Sequence, residues 1–131
     1  MEAFEAVADS QIAEKLLALL KERLDGALDE DEAALARRRI REAIPRARRR
    51  NLRWEISLAD FATMDLKYGP DFDSHPEVAA VLSVISQAAN PDAELFSLSS
   101  KVPAGVWTQL QAAAVSKPGA EGRLHARLLD L

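Results

Sequence analysis

Between Glu2 and Leu24, apolar side chains return every third or fourth residue, at Phe4, Ala8, Ile12, Leu16, Leu19, Leu20 and Leu24. That is the period of one face of an α-helix, and a chain that repeats it must bury the face against other helices. The period recurs at Leu35, Ile40, Ala43, Ile44 and Ala47, again at Leu58, Phe61, Ala62, Met64 and Tyr68, and again at Val78, Val81, Leu82, Ile85 and Ala89. Val106, Trp107, Leu110 and Ala114 form a further stripe. Leu95 to Val102 is the one stretch with any strand character, and a lone strand has no neighbour to pair with. The pattern predicts an all-α protein, a compact bundle of about five to six helices in a single domain.

The boundaries follow from backbone chemistry. Gly26 is a natural stop for the first helix, and Asp29, Glu30, Asp31 and Glu32 suit the opening turn of the second, where carboxylates offset the helix dipole. Pro45 removes an amide donor inside that second stripe, at a cost of about 3 kcal/mol, which predicts a kink or break near Ile44. Leu52 and Trp54 are expected to anchor the next connection to the core. Ser57 and Asp60 resemble a capping box, and Gly69-Pro70 is expected to stop the third helix. Phe72 should plug inward, with Ser74 or His75 preceding a helix that has Pro76 at its first position. Asn90-Pro91 should end that helix. Val102-Pro103 introduces the next, Lys117-Pro118-Gly119 closes it, and a short last helix from about Glu121 carries Leu124, Leu128 and Leu131.

Composition narrows the function. A chain of 131 residues with 48% hydrophobic and 29% charged residues belongs with folded domains rather than disordered ones. With no cysteine there is no disulfide, thiolate metal site or cysteine nucleophile. The apolar run Ile12 to Leu20 is interrupted by Glu14 and Lys15, too short and too charged for a bilayer span. Glu2, Glu5 and Asp9 stand where an export signal would carry positive charge, so the expected location is the cytoplasm. Ser97, Ser99 and Ser100 lie in a polar stretch without a nucleophile elbow, and no glycine-rich phosphate loop is present. These features point to a non-enzyme that needs no cofactor or metal.

The formal charge of -4 is unevenly placed. Acids crowd Glu2 to Glu32, whereas arginines crowd the next stretch: Arg37, Arg38, Arg39, Arg41, Arg46, Arg48, Arg49, Arg50 and Arg53. The simplest account of that segment is a solvated or ion-paired face, with the acidic first helix as counter-charge. The second is an acidic protein partner. The third is nucleic acid, through phosphate neutralisation, although the acidic chain and the lack of interleaved aromatics make nucleic acid unlikely. Asp71, Asp73 and His75, with Glu77 behind them, offer oxygen and nitrogen ligands for a divalent ion, but without the glycine and closing glutamate of an EF-hand loop, helix capping is the better account. For Trp54 and Trp107, core packing is preferred to a ligand pocket or a partner hot spot.

Residues 40–82 carry a resemblance. Ile-Arg-Glu-Ala-Ile-Pro-Arg-Ala-Arg-Arg-Arg-Asn-Leu, then Leu-Ala-Asp-Phe-Ala-Thr-Met-Asp-Leu-Lys-Tyr-Gly-Pro-Asp-Phe-Asp, then Pro-Glu-Val-Ala-Ala-Val-Leu, resembles small helical proteins of bacterial type VI secretion gene neighbourhoods. Met1-Glu2-Ala3-Phe4-Glu5 looks like that family's first helix, and Gly69-Pro70-Asp71-Phe72-Asp73 is the most distinctive element. The resemblance implies a cytoplasmic accessory protein that binds a cognate effector or spike component, as an adaptor or chaperone, or as an immunity protein. It gives residues 1–90 as the family-like core and 91–131 as a variable helical extension. Pro45 and the segment after Asn90 depart from the family pattern. The partner contacts expected on this basis are Arg38, Arg41, Arg48, Arg49, Arg50, Arg53, Asp71, Phe72 and Asp73, with no membrane involved.

Overall fold

A computed structural model describes the backbone of residues 2–24 and 28–129, with side chains from Ala8 onward. The expected roles of Phe4, Gly26 and Leu131 fall outside the described side chains. Eight α-helices occur among the described residues: α1 (Glu2–Arg23), α2 (Glu30–Arg49), α3 (Glu55–Tyr68), α4 (Pro76–Ser86), α5 (Pro91–Leu95), α6 (Leu98–Lys101), α7 (Ala104–Val115) and α8 (Gly119–Arg127). A 3-10 turn at Phe72–Ser74 links α3 to α4. The all-α expectation holds, with more helices than the five to six expected because α5 and α6 are one-turn pieces. Leu95 to Val102, the lone strand candidate, runs from the end of α5 through a turn and α6 and forms no strand.

The central element is α2. Its buried stripe, Ala36, Ile40, Ala43, Ile44 and Ala47, is made of small and medium side chains that let neighbouring helices approach closely. Ion pairs show the directions of two neighbours. Asp9 meets Arg48 while Glu14 meets Arg37, so α1 runs antiparallel to α2. Glu121 meets Arg39 while Arg127 meets Glu32, so α8 does too. One hydrophobic core joins Leu17 and Leu20 of α1 and Ile40 and Ile44 of α2 to Leu58, Phe61 and Leu66 of α3. The same core includes Leu82 of α4, Leu95, Leu98, Trp107 and Leu124.

Helix ends match the turn chemistry in part. Asp29 accepts the Glu32 amide at 2.8 Å and opens α2. Gly69, at φ 100°, ends α3 in a backbone conformation that side chains rarely adopt. His75 Nδ1 accepts the Glu77 amide at 3.2 Å, with Pro76 at the first turn of α4. That helix ends at Ser86, before the expected Asn90-Pro91 stop, and Ala89 is exposed.

Three expectations are corrected. First, α2 continues through Pro45 without a break. The ring is solvent-exposed, so the Arg41 carbonyl that loses its amide donor lies on the wet side, where water serves it. Second, no Ser57–Asp60 capping box forms. Instead α3 begins at Glu55, with Ser57 buried in its first turn, and the carboxylate of Asp92 from α5 accepts the amides of Arg53 and Trp54 at 2.9 and 2.8 Å. Burial alone would raise the Asp92 pKa, but those two amides, together with the Ser57 hydroxyl and the amide of Asp92 itself, outweigh it and the net shift is downward. Third, Leu52 is buried as expected but Trp54 is 46% exposed; its backbone, not its ring, anchors the connection.

Since residue 45 is exposed and the proline withholds one helical hydrogen bond, Pro45→Ala should stabilise the fold by about 1 to 3 kcal/mol. A urea midpoint that does not rise would show that the Arg41 carbonyl carries no penalty.

Candidate docking site

The arginine segment is largely engaged within the molecule. Glu14 of α1 receives Arg37 at 2.8 Å and Arg41 at 3.4 Å, and Asp9 receives Arg48 at 2.6 Å. These are the pairs expected between the acidic first helix and the arginines. Arg38 faces Glu42 at 3.9 Å, an exposed pair of little consequence. Arg49 and Arg53 are exposed and form no ion pair among the described residues.

Two further arginines enter the interior. Glu32, Arg39 and Arg46 are spaced by seven on α2, which places them along one side of the helix beside its small-residue stripe. Arg46 bridges two carboxylates, Asp65 of α3 and Asp73 of the 3-10 turn, each at 2.8 Å, and lies 5.6 Å from the centre of the Phe61 ring. Burial raises the Asp65 pKa, and Arg46 offsets this only in part. Arg50 donates to the Asp73 carbonyl at 3.3 Å. Arg39 reaches Glu121, and Glu32, itself buried, accepts from Arg127 at 3.2 Å. His125 of α8 donates from Nδ1 to the carbonyl of Leu66. The Leu66 carbonyl would ordinarily receive the amide four residues on, but that residue is Pro70. The same exchange occurs at Ser99, whose carbonyl faces the missing amide of Pro103 and receives the Trp107 indole N–H at 3.1 Å.

The 69–73 loop is therefore bound to the core. Phe72 is fully buried against Phe61, with ring centres 5.1 Å apart, so it offers no outward contact in this fold. Asp73 is held by Arg46, His75 caps α4, and Asp71 is exposed. No group of three metal-ligating side chains assembles among the described residues. The hydroxyls of Ser97 and Ser100 donate to carbonyls of their own turns at 2.7 and 2.9 Å.

The open feature lies elsewhere, between α1 and α3. These helices run in the same direction, as shown by Lys15 beside Glu55 at one end and Arg23 beside Lys67 at the other. Between them lies a cleft of about 330 Å³, lined also by Leu95, Phe96, Ser99 and Trp107. Its lining includes Tyr68 tilted at 39° against Trp107, with ring centroids 4.6 Å apart. A second hollow of about 340 Å³, lined by Ile12, Lys15, Glu55, Ile56 and Ala59, shares Leu16 and Leu19 with the first, so the two adjoin across those side chains as one groove with two seats. Leu19 is 43% exposed, Ile56 62% and Phe96 51%, a concentration of uncovered apolar surface on one face. Burial raises the pKa of Asp60 on the cleft wall, opposed by the Lys67 charge, and burial also raises Tyr68. Lys67 lies 5.5 Å over the Tyr68 ring.

The cleft residues were not singled out by sequence reasoning. Leu19 was assigned to the buried stripe of α1, and Trp107 to core packing, which holds for most of its surface. The usable signal was Ile56 and Phe96, large apolar residues outside any helical stripe.

Comparison with protein-family models, with curated proteins and with solved structures gave no match.

Two measurements check the buried seam. Replacing Arg46 with Met leaves Asp65 and Asp73 as neighbouring acids without a cation, and should cost about 3 kcal/mol in urea unfolding. Adding Asp65→Asn and Asp73→Asn should recover most of that loss; a triple variant no better than the single one would place the damage in packing instead. For His125, burial lowers the pKa below 6.5, and the charges of Arg39 and Lys117 act in the same direction. The unfolded chain therefore takes up a proton that the folded one refuses. Stability should fall as pH drops below about 6.5 and level off beneath the folded pKa. His125→Gln, which can still donate to Leu66, should show a smaller loss between pH 7.5 and 5, and an equal loss would remove this histidine from the account.

Proposed function

We propose that this chain is a non-catalytic, cytoplasmic accessory protein that binds a cognate protein through the α1–α3 groove. The observation that carries this reading is the uncovered apolar surface of Leu19, Ile56 and Phe96 beside the tilted Tyr68–Trp107 ring pair. Burying it on a partner would return about 25 cal/mol for each square ångström of apolar surface. The resemblance of residues 40–82 supplies the setting: type VI secretion, with an effector or spike component as partner and a role as adaptor, chaperone or immunity protein. Nucleic-acid binding is the weaker reading, because Arg37, Arg39, Arg41, Arg46 and Arg48 are already paired with acids of this chain. The exposed arginines Arg38, Arg49 and Arg53 remain available at the periphery of a protein complex, where charge affects association rate more than affinity.

The test is co-expression with the effector and spike proteins encoded beside the gene, followed by co-purification. A complex should form, and Leu19→Glu with Ile56→Glu should weaken it at least tenfold while leaving the thermal midpoint within a few degrees, since both positions are exposed. A complex indifferent to that pair would move the site off the groove, and failure to bind any neighbour would remove the type VI assignment. Growth rescue against a toxic neighbour would mark an immunity protein. Loss of toxin delivery without self-poisoning would mark an adaptor.

A further inference from the structure

Resting on the reading of the groove as a protein-docking site, we infer that its occupant is an amphipathic α-helix of the partner, lying along α1 and α3 with an acidic residue at the Arg23 end.

Backbone chemistry selects the helix. Both walls are α-helices whose amides and carbonyls are bonded within themselves, so the groove presents no strand edge for an extended peptide to join. An extended segment pressed between Leu16, Leu19, Ile56 and Met64 would strand its own backbone polar groups against apolar surface. A helix arrives with those groups already satisfied.

Length agrees. The groove follows α1 from Ile12 to Arg23, which at 1.5 Å per residue is roughly 16 Å, or three helical turns. That accommodates apolar side chains at i, i+4 and i+7, the spacing by which a helix fills such a groove. The two hollows, separated at Leu16 and Leu19, give such side chains distinct seats.

Charge orients it. At the Ile12 end Lys15 and Glu55 pair with each other at 3.2 Å. At the other end Arg23 and Lys67 stand against the single acid Asp60, leaving one positive charge in excess among the lining residues. Lys67 lies over the Tyr68 ring within the field of the Asp60 carboxylate, whereas Arg23 is exposed on the last turn of α1 and is the cation placed to meet an incoming carboxylate.

The experiment pans the full chain against two displayed libraries of 16-residue peptides. One is built on an alanine-rich helical frame randomised along one face; the other is rich in proline and extended. Helical binders should emerge with apolar residues at i, i+3 or i+4, and i+7, and with Asp or Glu at one end. Their affinity should drop at least tenfold on the Leu19→Glu, Ile56→Glu chain, and Arg23→Glu should change the preferred terminal residue from acidic to basic. Binders from the extended library alone, helical binders indifferent to the groove variants, an empty helical library, or a dimer of this chain that Leu19→Glu dissociates would each overturn the inference. If the partner complex still depends on Leu19 and Ile56 while the helical library is empty, only the helical form of the occupant fails. If the complex ignores both residues, the docking reading itself fails.

Discussion

The guanidinium of Arg46 holds the molecule together at its most expensive point. Asp65 and Asp73 come from different elements and are nearly buried, and like charges so placed would drive α3 and the 69–73 turn apart without a cation between them. Arg46 supplies that cation from the last turn of α2, and its planar fork can bond both acids at once in a way a lysine could not. With the turn fixed, Phe72 is seated against Phe61 and α4 starts in the right place. The buried pair gives limited net stability, since desolvation opposes it; its contribution is to make one arrangement of α2, α3 and α4 far better than its alternatives.

Prolines set a second constraint. Pro45, Pro70 and Pro103 each withhold the amide that a carbonyl four residues earlier would receive in a continuing helix. At Arg41, on the exposed side, the helix simply continues. At Leu66 and Ser99 a side chain of another helix supplies the donor, His125 and Trp107 respectively. The same logic holds α8 on α3 and α7 on α6, so the last third of the chain is fastened by the polar groups its prolines release. Gly122 permits the tight return of α8, since a side chain there would collide with the Lys117 carbonyl.

Local rules were legible in the sequence and distant partners were not. Apolar period located α1 to α4 and α7, and the Gly69-Pro70 stop, the Phe72 plug and the Pro76 start were readable because each depends on a few adjacent residues. Pro45 was misjudged because its cost depends on which way its face points, and Trp54 because a large aromatic beside Leu52 is indistinguishable in sequence from a core residue. The Asp92 cap lies 38 residues from the amide it serves at Trp54, beyond any local motif. Arg46 looked like one more member of a basic run; its spacing from Glu32 and Arg39 by whole heptads was the signal that it turned inward.

The interior chemistry and the proposed docking site are linked by the same helices. Because α2 satisfies its arginines on α1, α3 and α8, it draws those helices toward itself. Its buried side chains facing these neighbours are small, and the groove between α1 and α3 is lined by apolar residues of both helices, Leu16 and Leu19 on one side and Ile56 and Met64 on the other. Leu16 points to the core and Leu19 to the opening. With Arg37, Arg39, Arg41, Arg46 and Arg48 paired to acids of this chain, the apolar groove rather than the basic segment is the surface on which the docking proposal rests.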